Sequence, residues 1–549
     1  MFTRQNIYEL GDDWAEPILW YARGVKAMKA RPLDDVTSWL FYGAIHGYLR
    51  WLWDLHGVTA QNGPEFSYAN GLRYVDQCQH QSWFFLPWHR GYLLALERQV
   101  RREIEILGGP HDTWALPYWN YFKAGQKTLP PAFKSAAWPD GSNDNPLFVS
   151  QRWGVMIDGP ASDFEGFINL GPMGDREFSG PGNGGSTGFG GRPTGFNWTG
   201  GDNGGCESQP HNNVHGLVGG ESPTQTIPDT TRRLPGLMGV PQTAAIDPIF
   251  YLHHCNIDRL WASWNANELG RLVINPNDWR NPSGDDWLDG PEASGDREFF
   301  MPDIDGTPWG YTPRELAYLN ARDSRDGRNG MADFPNVAAL QYEYDDLTPG
   351  DVVPPDPLVA RHDALGLPAP TPVAAQPSGG AIVSRSKTVE LVGVGQGRMA
   401  IASPARQRTV VTLDAPPTSR LASSFRGEGQ GASQPDRVFL NLENVRAKSD
   451  VVLLQVFVGL SDGADPAESP DNLAGTVSLF GSGLSSDFNG KHAGNGINHV
   501  LEVTDIFSRL HLTTGLAAAD IAVDVIPVGE VREDDAVEIG NISLYRQGE

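Results

Sequence analysis

Apolar residues along this chain follow two regimes, one with helical spacing and one with strict alternation. Residues 14–30 carry a helical pattern, and residues 38–56 are apolar almost all round, which predicts a helix buried on every side. Further on, Pro87 ends any preceding regular structure and predicts a helix beginning near Trp88. Its apolar positions Trp88, Tyr92, Leu96, Val100 and Ile104 recur every four residues toward a core. Asp247 followed by Pro248 is a helix start, an N-cap and then a first-turn proline. Beyond Tyr344 the pattern changes. Residues 346–386 are rich in Pro and Ala with little periodicity, as a linker is. Then RVFLNLENV, DVVLLQVFV, GTVSLF, HVLEVTDI, DIAVDVIPV and EIGNISLY alternate with period two between Gly, Asp and Asn turns. That predicts an all-β sandwich or small barrel. The expected organisation is multidomain: a mainly helical domain over 1–345, a linker over 346–386 and a β-sandwich-like domain over 387–549. A chain of 549 residues needs more than one core, because cores stop growing at roughly 250–300 residues.

Charge narrows the partners. A net charge of −25 argues against nucleic acid and anionic membrane, both of which demand a basic patch. No run of about 18 apolar residues offers a membrane span. The opening MFTRQNIYELGDDW lacks the apolar core of a signal peptide, so the expected location is the cytoplasm, or outside by a route the sequence does not show. Three cysteines (Cys78, Cys206, Cys255) make no disulfide framework, yet all lie close to histidines. Self-association stays open.

Histidine carries the candidate chemistry. His211 and His215 are four apart, so on a helix both rings project from one face toward a single metal ion. His254 shares a helical face with Phe250, Asp258 and Trp261, so Asp258 can orient the buried structure around it. His253 points about 100° away, as a packed or hydrogen-bonded neighbour. His80 stands on a loop and His89 in the first turn of a buried helix. His46, mid-helix, is either a ligand or a core histidine bonded to a backbone group. His56, before Gly57, reads as a C-terminal cap on the helix dipole. Imidazoles without thiolate or carboxylate suit copper, zinc, iron or nickel. The spacing says metal and does not say which. Residues 171–205 are glycine-dense and form either one wall of a substrate entrance or a surface loop.

Two motifs sharpen this. His80-x4-Phe85-Leu86-Pro87-Trp88-His89-Arg90-x2-Leu93-x3-Glu97 resembles the first copper signature of the tyrosinase and polyphenol oxidase family. Asp247-Pro248-Ile249-Phe250-Tyr251-x2-His254-x3-Asp258 resembles the second, and Tyr342-Glu343-Tyr344 resembles the family's closing Tyr-x-Tyr element. The resemblance covers roughly residues 1–345 and implies a type 3 dinuclear copper centre in a four-helix bundle. His46, His80 and His89 would hold one copper ion and His211, His215 and His254 the other. It implies oxidation of phenols and o-diphenols to o-quinones, with O₂ as co-substrate and small phenols as substrates. The alternatives are a catechol or o-aminophenol oxidase without monophenol hydroxylation, and a hemocyanin-like O₂ carrier using the same six histidines. Cys78 stands two before His80, as in members with a cysteine–histidine thioether; otherwise it is a buried, unreactive thiol. Glu207 and Asn212 stand where the family is thought to hold a water that accepts the phenol proton; capping and solvation are the plain alternatives. Pro241, thirteen before His254, takes the gate residue's place and leaves out a bulky Phe.

The C-terminal layout resembles that of plant polyphenol oxidases, whose domain lays a side chain over the metals. A forty-residue coil spans roughly 35 Å, enough to bring such a lid across the copper face. Phe488, in LFGSGLSSDFNGKHAGNG, is the expected plug; a stabilising or oligomerising domain is the alternative.

Overall fold

Trp88, Tyr92, Leu96, Val100 and Ile104 are all fully buried along one 22-residue helix, as their spacing predicts. The computed structural model that places them describes residues 1–59, 63–175, 177–181, 184–192, 201–266, 299–302, 308–311, 341–351, 388–403, 405–426, 436–490, 493–516 and 519–548. Most of the expected linker, residues 352–386, lies outside the described residues. In chain order the first half runs β1 (Phe2–Arg4), α1 (Glu16–Lys29), α2 (Trp39–His46), α3 (Arg50–Leu55), α4 (Tyr68–Tyr74), α5 (Phe85–Ile106) and α6 (Asn213–Gly219). A hairpin of β2 (Glu221–Thr226) and β3 (Arg233–Pro235) follows, then α7 (Pro241–Ala244), α8 (Ile249–Asn265), β4 (Phe299–Pro302), β5 (Pro308–Tyr311) and β6 (Tyr342–Tyr344). Helix α5 packs against α1 and α8. Among the described residues no helix is long and apolar enough to cross a membrane.

Three local expectations are corrected. The helix expected over 38–56 is two helices, broken at an extended Gly47 where a Cβ would lie 2.8 Å from Gln242 Cα and 2.9 Å from the Pro241 carbonyl oxygen. The α7 backbone comes too close for the helix to continue, so His46 ends α2 rather than sitting mid-helix. Pro87 does not precede α5 but lies in its first turn, where a missing N–H costs no hydrogen bond. His56 does end α3, but its ring is buried and burial pushes its pKa down to about 4, so it brings no charge to the helix dipole.

The helical half is tied together by buried charge. Strand β1 pairs parallel with β6, placing Arg4 beside Tyr344. Arg4 donates to Glu97 of α5 (3.1 Å from Nε) and to Asp258 of α8 (3.3 Å). Asp258 also accepts from Arg90 and, at 2.6 Å each, from the hydroxyls of Tyr342 and Tyr344. Burial pushes the Asp258 carboxyl up, but Arg90, Arg4 and the two tyrosines outweigh it and hold the pKa below its ordinary value.

The second half is one eight-stranded sheet in which every neighbour is antiparallel. Its elements are β7 (Thr388–Gly395), β8 (Met399–Ala400), β9 (Gln407–Leu413), α9 (Ala415–Phe425), β10 (Arg437–Val445), β11 (Leu453–Val458), β12 (Leu473–Ser478), β13 (Ile497–Glu502), α10 (Thr504–Thr514), β14 (Asp520–Val528), β15 (Glu538–Ile539) and β16 (Asn541–Gly548). The order is β12-β11-β14-β9-β7-β16-β10-β13, with β8 and β15 pairing apart. The sheet curls until its edges approach, a Cβ at Gly475 of β12 falling 3.1 Å from Leu501 of β13. One face (Val411, Leu440, Leu442, Leu454, Val523) packs with Leu421 of α9 and Phe507 of α10 into a core of its own. The other face lies on the helical half. A side chain at Gly184, whose φ is +95°, would run into the Tyr545 ring, and the Ser186 N–H donates to Gln547 at 2.9 Å. The described part of the glycine-dense tract is therefore the dock for this sheet.

Removing the Asp258 carboxylate strands Arg90 in the interior and leaves Arg4 with Glu97 alone. Asp258→Ala should lose about 3–5 kcal/mol of stability in urea unfolding; a loss below about 1 kcal/mol would show that the hub does not hold the helices.

Candidate metal centre

Each histidine reaches the interior from a different element. His46 ends α2, and the loop leading to Cys78 and His80 is drawn against that end by backbone bonds from Asp76 to Ala44 (3.0 Å) and from Gln77 to Ile45 (2.9 Å). His89 occupies the first turns of α5 and His254 the second turn of α8. His211 sits in a wide turn over Glu207–Asn212, interrupted by an extended Gln209 before Pro210, and α6 then carries His215. The outcome is two buried clusters, His46–Cys78–His80–His89 and His211–His215–His253–His254, each with its candidate ligand atoms within 4.8 Å of one another. They meet where the His89 and His254 rings stack, 4.3 Å between centroids at 10°.

Outer contacts choose which nitrogen faces inward. The Nδ1 atoms of His46, His89 and His215 face backbone oxygens of Pro241 (2.8 Å), Phe85 (2.8 Å) and Met238 (2.7 Å). His211 Nδ1 faces the Asn212 side-chain oxygen at 2.8 Å. With the proton held outward on Nδ1, each Nε2 presents a lone pair to the centre. His211 Nε2 stands 3.1 Å from His215 Nε2 and 3.3 Å from His254 Nε2, and His46 Nε2 is buried with no hydrogen-bond partner. Burial pushes the pKa of all six rings down, His46 to about 3, and neighbouring imidazoles push most of them further. Neutral lone pairs converging in a dry interior repel unless a cation binds them. The donor set fits a metal at each cluster, and imidazole-only ligation fits copper.

His253 shares the second cluster, its Nε2 buried without a hydrogen-bond partner, and its other contacts face away from the centre. Its ring stacks on His211 (5.3 Å, 22°) and its Nδ1 meets the Tyr121 hydroxyl at 3.2 Å. Cys78 Sγ lies 3.3 Å from His80 Nδ1 and 3.4 Å from His89 Nε2. Glu207 is fully buried; one carboxylate oxygen accepts the Gln81 N–H at 2.7 Å and the other has no partner. Burial raises its pKa to about 8 against the backbone N–H groups of Gln81 and Gly204. Asn212 spends its oxygen on His211, and Pro241 its carbonyl on His46, while the Pro241 ring faces Gly481 of the C-terminal half.

One residue over the centre escaped the sequence reading. Phe480 stacks on His215 (4.2 Å, 18°) and meets His80 and His211 edge-on, both at 5.8 Å. Phe488, the expected plug, is 74% exposed beside Arg446, and among the described residues its ring meets none of the six histidines. Phe480 closes the GTVSLF run just before Gly481, which turns at φ +83°, so it projects from a strand end; that was the available signal.

Residues 36–192 and 185–267 match the family model for the common central domain of tyrosinase, and 388–547 match a domain of unknown function. Tyrosinase HcTyr1 of Hahella sp. (strain CCB-MM4) is 30% identical over 562 residues, spanning the whole of both chains. The chain belongs to the tyrosinase family. The latent-form polyphenol oxidase of Prunus armeniaca is 29% identical over 272 residues, 47% of this chain and 40% of that one. The latent apple tyrosinase structure superposes over 99% of this chain and 97% of that chain with a TM-score of 0.55 at 21% identity, so the whole two-part fold is shared. As a tyrosinase-family oxidase, the chain oxidises phenols at a type 3 copper centre, and its two buried histidine clusters fit that centre.

The expected ligand set separates two adjacent histidines. His254→Ala should lose bound copper and activity, whereas His253→Ala should keep both metals, read by metal analysis of the purified protein. A fully loaded, fully active His254→Ala protein would overturn the ligand assignment.

Proposed function

We propose that this tyrosinase-family chain hydroxylates monophenols and oxidises o-diphenols to o-quinones with O₂, and that its C-terminal domain holds it latent. The observation that carries the reading is the Phe480 ring stacked on His215, in the position an aromatic substrate would take. His46, His80 and His89 would hold one copper ion and His211, His215 and His254 the other. Copper there supplies O₂ binding and the exchange of electrons with the phenol. The rest falls to the chain. Phenylalanine and imidazole rings exclude water and offer a stacking face. Glu207 presents an unpartnered carboxylate oxygen as proton acceptor, its other oxygen held by the Gln81 N–H.

A second reading, diphenol oxidation alone, draws on Asn212. Its oxygen is spent on His211, which weakens its claim to hold a base water and makes Glu207 the cleaner test. The Cys78 sulfur touching His80 supports a thioether in the mature protein. Its formation joins sulfur to a ring carbon and releases two hydrogens, with copper and O₂ as oxidant.

Three outcomes are expected. Burying a phenylalanine is worth about 1.5–3 kcal/mol, so Phe480→Ala should raise o-diphenol turnover of the intact, copper-loaded protein by roughly 10–100-fold; unchanged turnover would refute the lid. Glu207→Gln should depress monophenol turnover by about 10²-fold or more while leaving the o-diphenol rate close to normal, and equal losses would favour the diphenol-only reading. The mass of the copper-matured chain should fall by two hydrogens, whereas an alkylatable Cys78 in active enzyme would exclude the thioether.

A further inference from the structure

The lid strand meets the catalytic half as a bound peptide would. Strand β12 is an edge of its sheet, so one side of its backbone is free to be gripped. From Thr476 onward every second residue is buried against the catalytic half (Thr476, Ser478, Phe480), while Val477 and Leu479 belong to the core of the sheet. Gln209 Nε2 and Asn213 Nδ2 both donate to the Thr476 carbonyl, at 2.8 and 3.1 Å. Ser478 lies on Gly216 of α6, where a Cβ would come 3.6 Å from its Oγ. Phe480 then stacks on His215. A backbone grip, a slot for a small residue and an aromatic seat at alternate positions are how an extended chain is read. All three belong to the catalytic half. The two amides also donate to the Phe167 carbonyl of that half, so they stay aimed after the strand has left.

We infer that, once the lid is displaced, this groove takes an extended polypeptide with tyrosine in the place of Phe480 and a small residue two positions before it, so that tyrosine carried on a chain is a substrate. The inference rests on the lid reading and on monophenol oxidation. In the lid itself phenylalanine lacks the hydroxyl from which the reaction starts, and the strand occupies the groove unchanged. A tyrosine seated there is converted as a free monophenol is. One oxygen of O₂ enters the ring beside the hydroxyl, the other leaves as water, and the phenol ends as an o-quinone.

Two experiments on the whole chain test this. In full-length, copper-loaded Phe480→Tyr protein held in air with ascorbate, which returns the quinone to the catechol, the peptide carrying residue 480 should be heavier by one oxygen. An unmodified ring there would overturn the inference. In the second, the copper-loaded chain is nicked between residues 352 and 386 with both pieces retained. The peptide Thr-Val-Ser-Leu-Tyr-Gly should then be oxidised with a kcat/KM about tenfold above that of Thr-Val-Phe-Leu-Tyr-Gly, whose bulky third residue runs into the α6 backbone. Gln209→Ala, which removes one donor to the peptide backbone, should lower the ratio of peptide to p-cresol kcat/KM about fivefold. Equal turnover of the two peptides, or a ratio that Gln209→Ala leaves unmoved, would also overturn it. If p-cresol is not oxidised at all, the monophenol reading fails; if nicking does not raise p-cresol turnover, the lid reading fails. If p-cresol turnover rises and the peptides are not told apart, only the polypeptide groove falls.

Discussion

Asp258 is the point on which the helical half turns. It is a buried carboxylate facing two buried guanidinium groups, and both arginines are far from it in sequence. Arg90 lies next to the candidate ligand His89, Arg4 belongs to the first strand, and Asp258 stands four residues after the candidate ligand His254. With Glu97 on Arg4, two cations and two anions balance in a medium where an unpaired charge costs several kcal/mol. The arrangement tolerates little sliding of α5 against α8. That rigidity is what lets His89 and His254, from opposite ends of the domain, stack across the two metal clusters.

A similar economy governs the rings. Backbone carbonyls of Pro241, Phe85 and Met238 set the orientation of three imidazoles, so the loops that deliver those carbonyls are as much part of the centre as the histidines. The close approach of Gly47 to α7 follows from the same need. It breaks the apolar stretch, brings Pro241 to His46, and turns what reads as a long buried helix into the end of a short one.

How much of this the sequence showed depended on the kind of interaction. Periodicity revealed α1, α5 and α8, because a helical face repeats along the chain. The two copper signatures brought the six histidines together because ligand spacing is local within each motif. Nothing local marks a carbonyl that arrives from 195 residues away, as Pro241 does at His46. Alternation revealed the strands but not whether they stack as two layers or curl as one, since pairing order is a long-range property. Helix α9 begins with two prolines in its first turn, Pro416 and Pro417, which suit a helix start, and it lies among the alternating runs without a pattern of its own in the sequence reading. Phe488 drew attention through its glycine-rich surroundings, yet the residue that points inward is the one leaving a strand, Phe480.

The C-terminal sheet is covered on both faces, by its own helices on one side and by the catalytic half on the other. Leu453 and Phe480 belong to the core of the helical domain, and Val528 packs against it. Gln209 and Asn213 meanwhile donate to the Thr476 carbonyl from beneath, at 2.8 and 3.1 Å. The seam mixes these apolar contacts with polar ones, among them the Arg437–Asp175 ion pair and the Ser186 N–H on Gln547. Parting the halves would bare Leu453, Phe480 and Val528. Under the proposed latency, opening bares these side chains and leaves the Thr476 carbonyl without its two donors, so the seam itself sets the cost of opening.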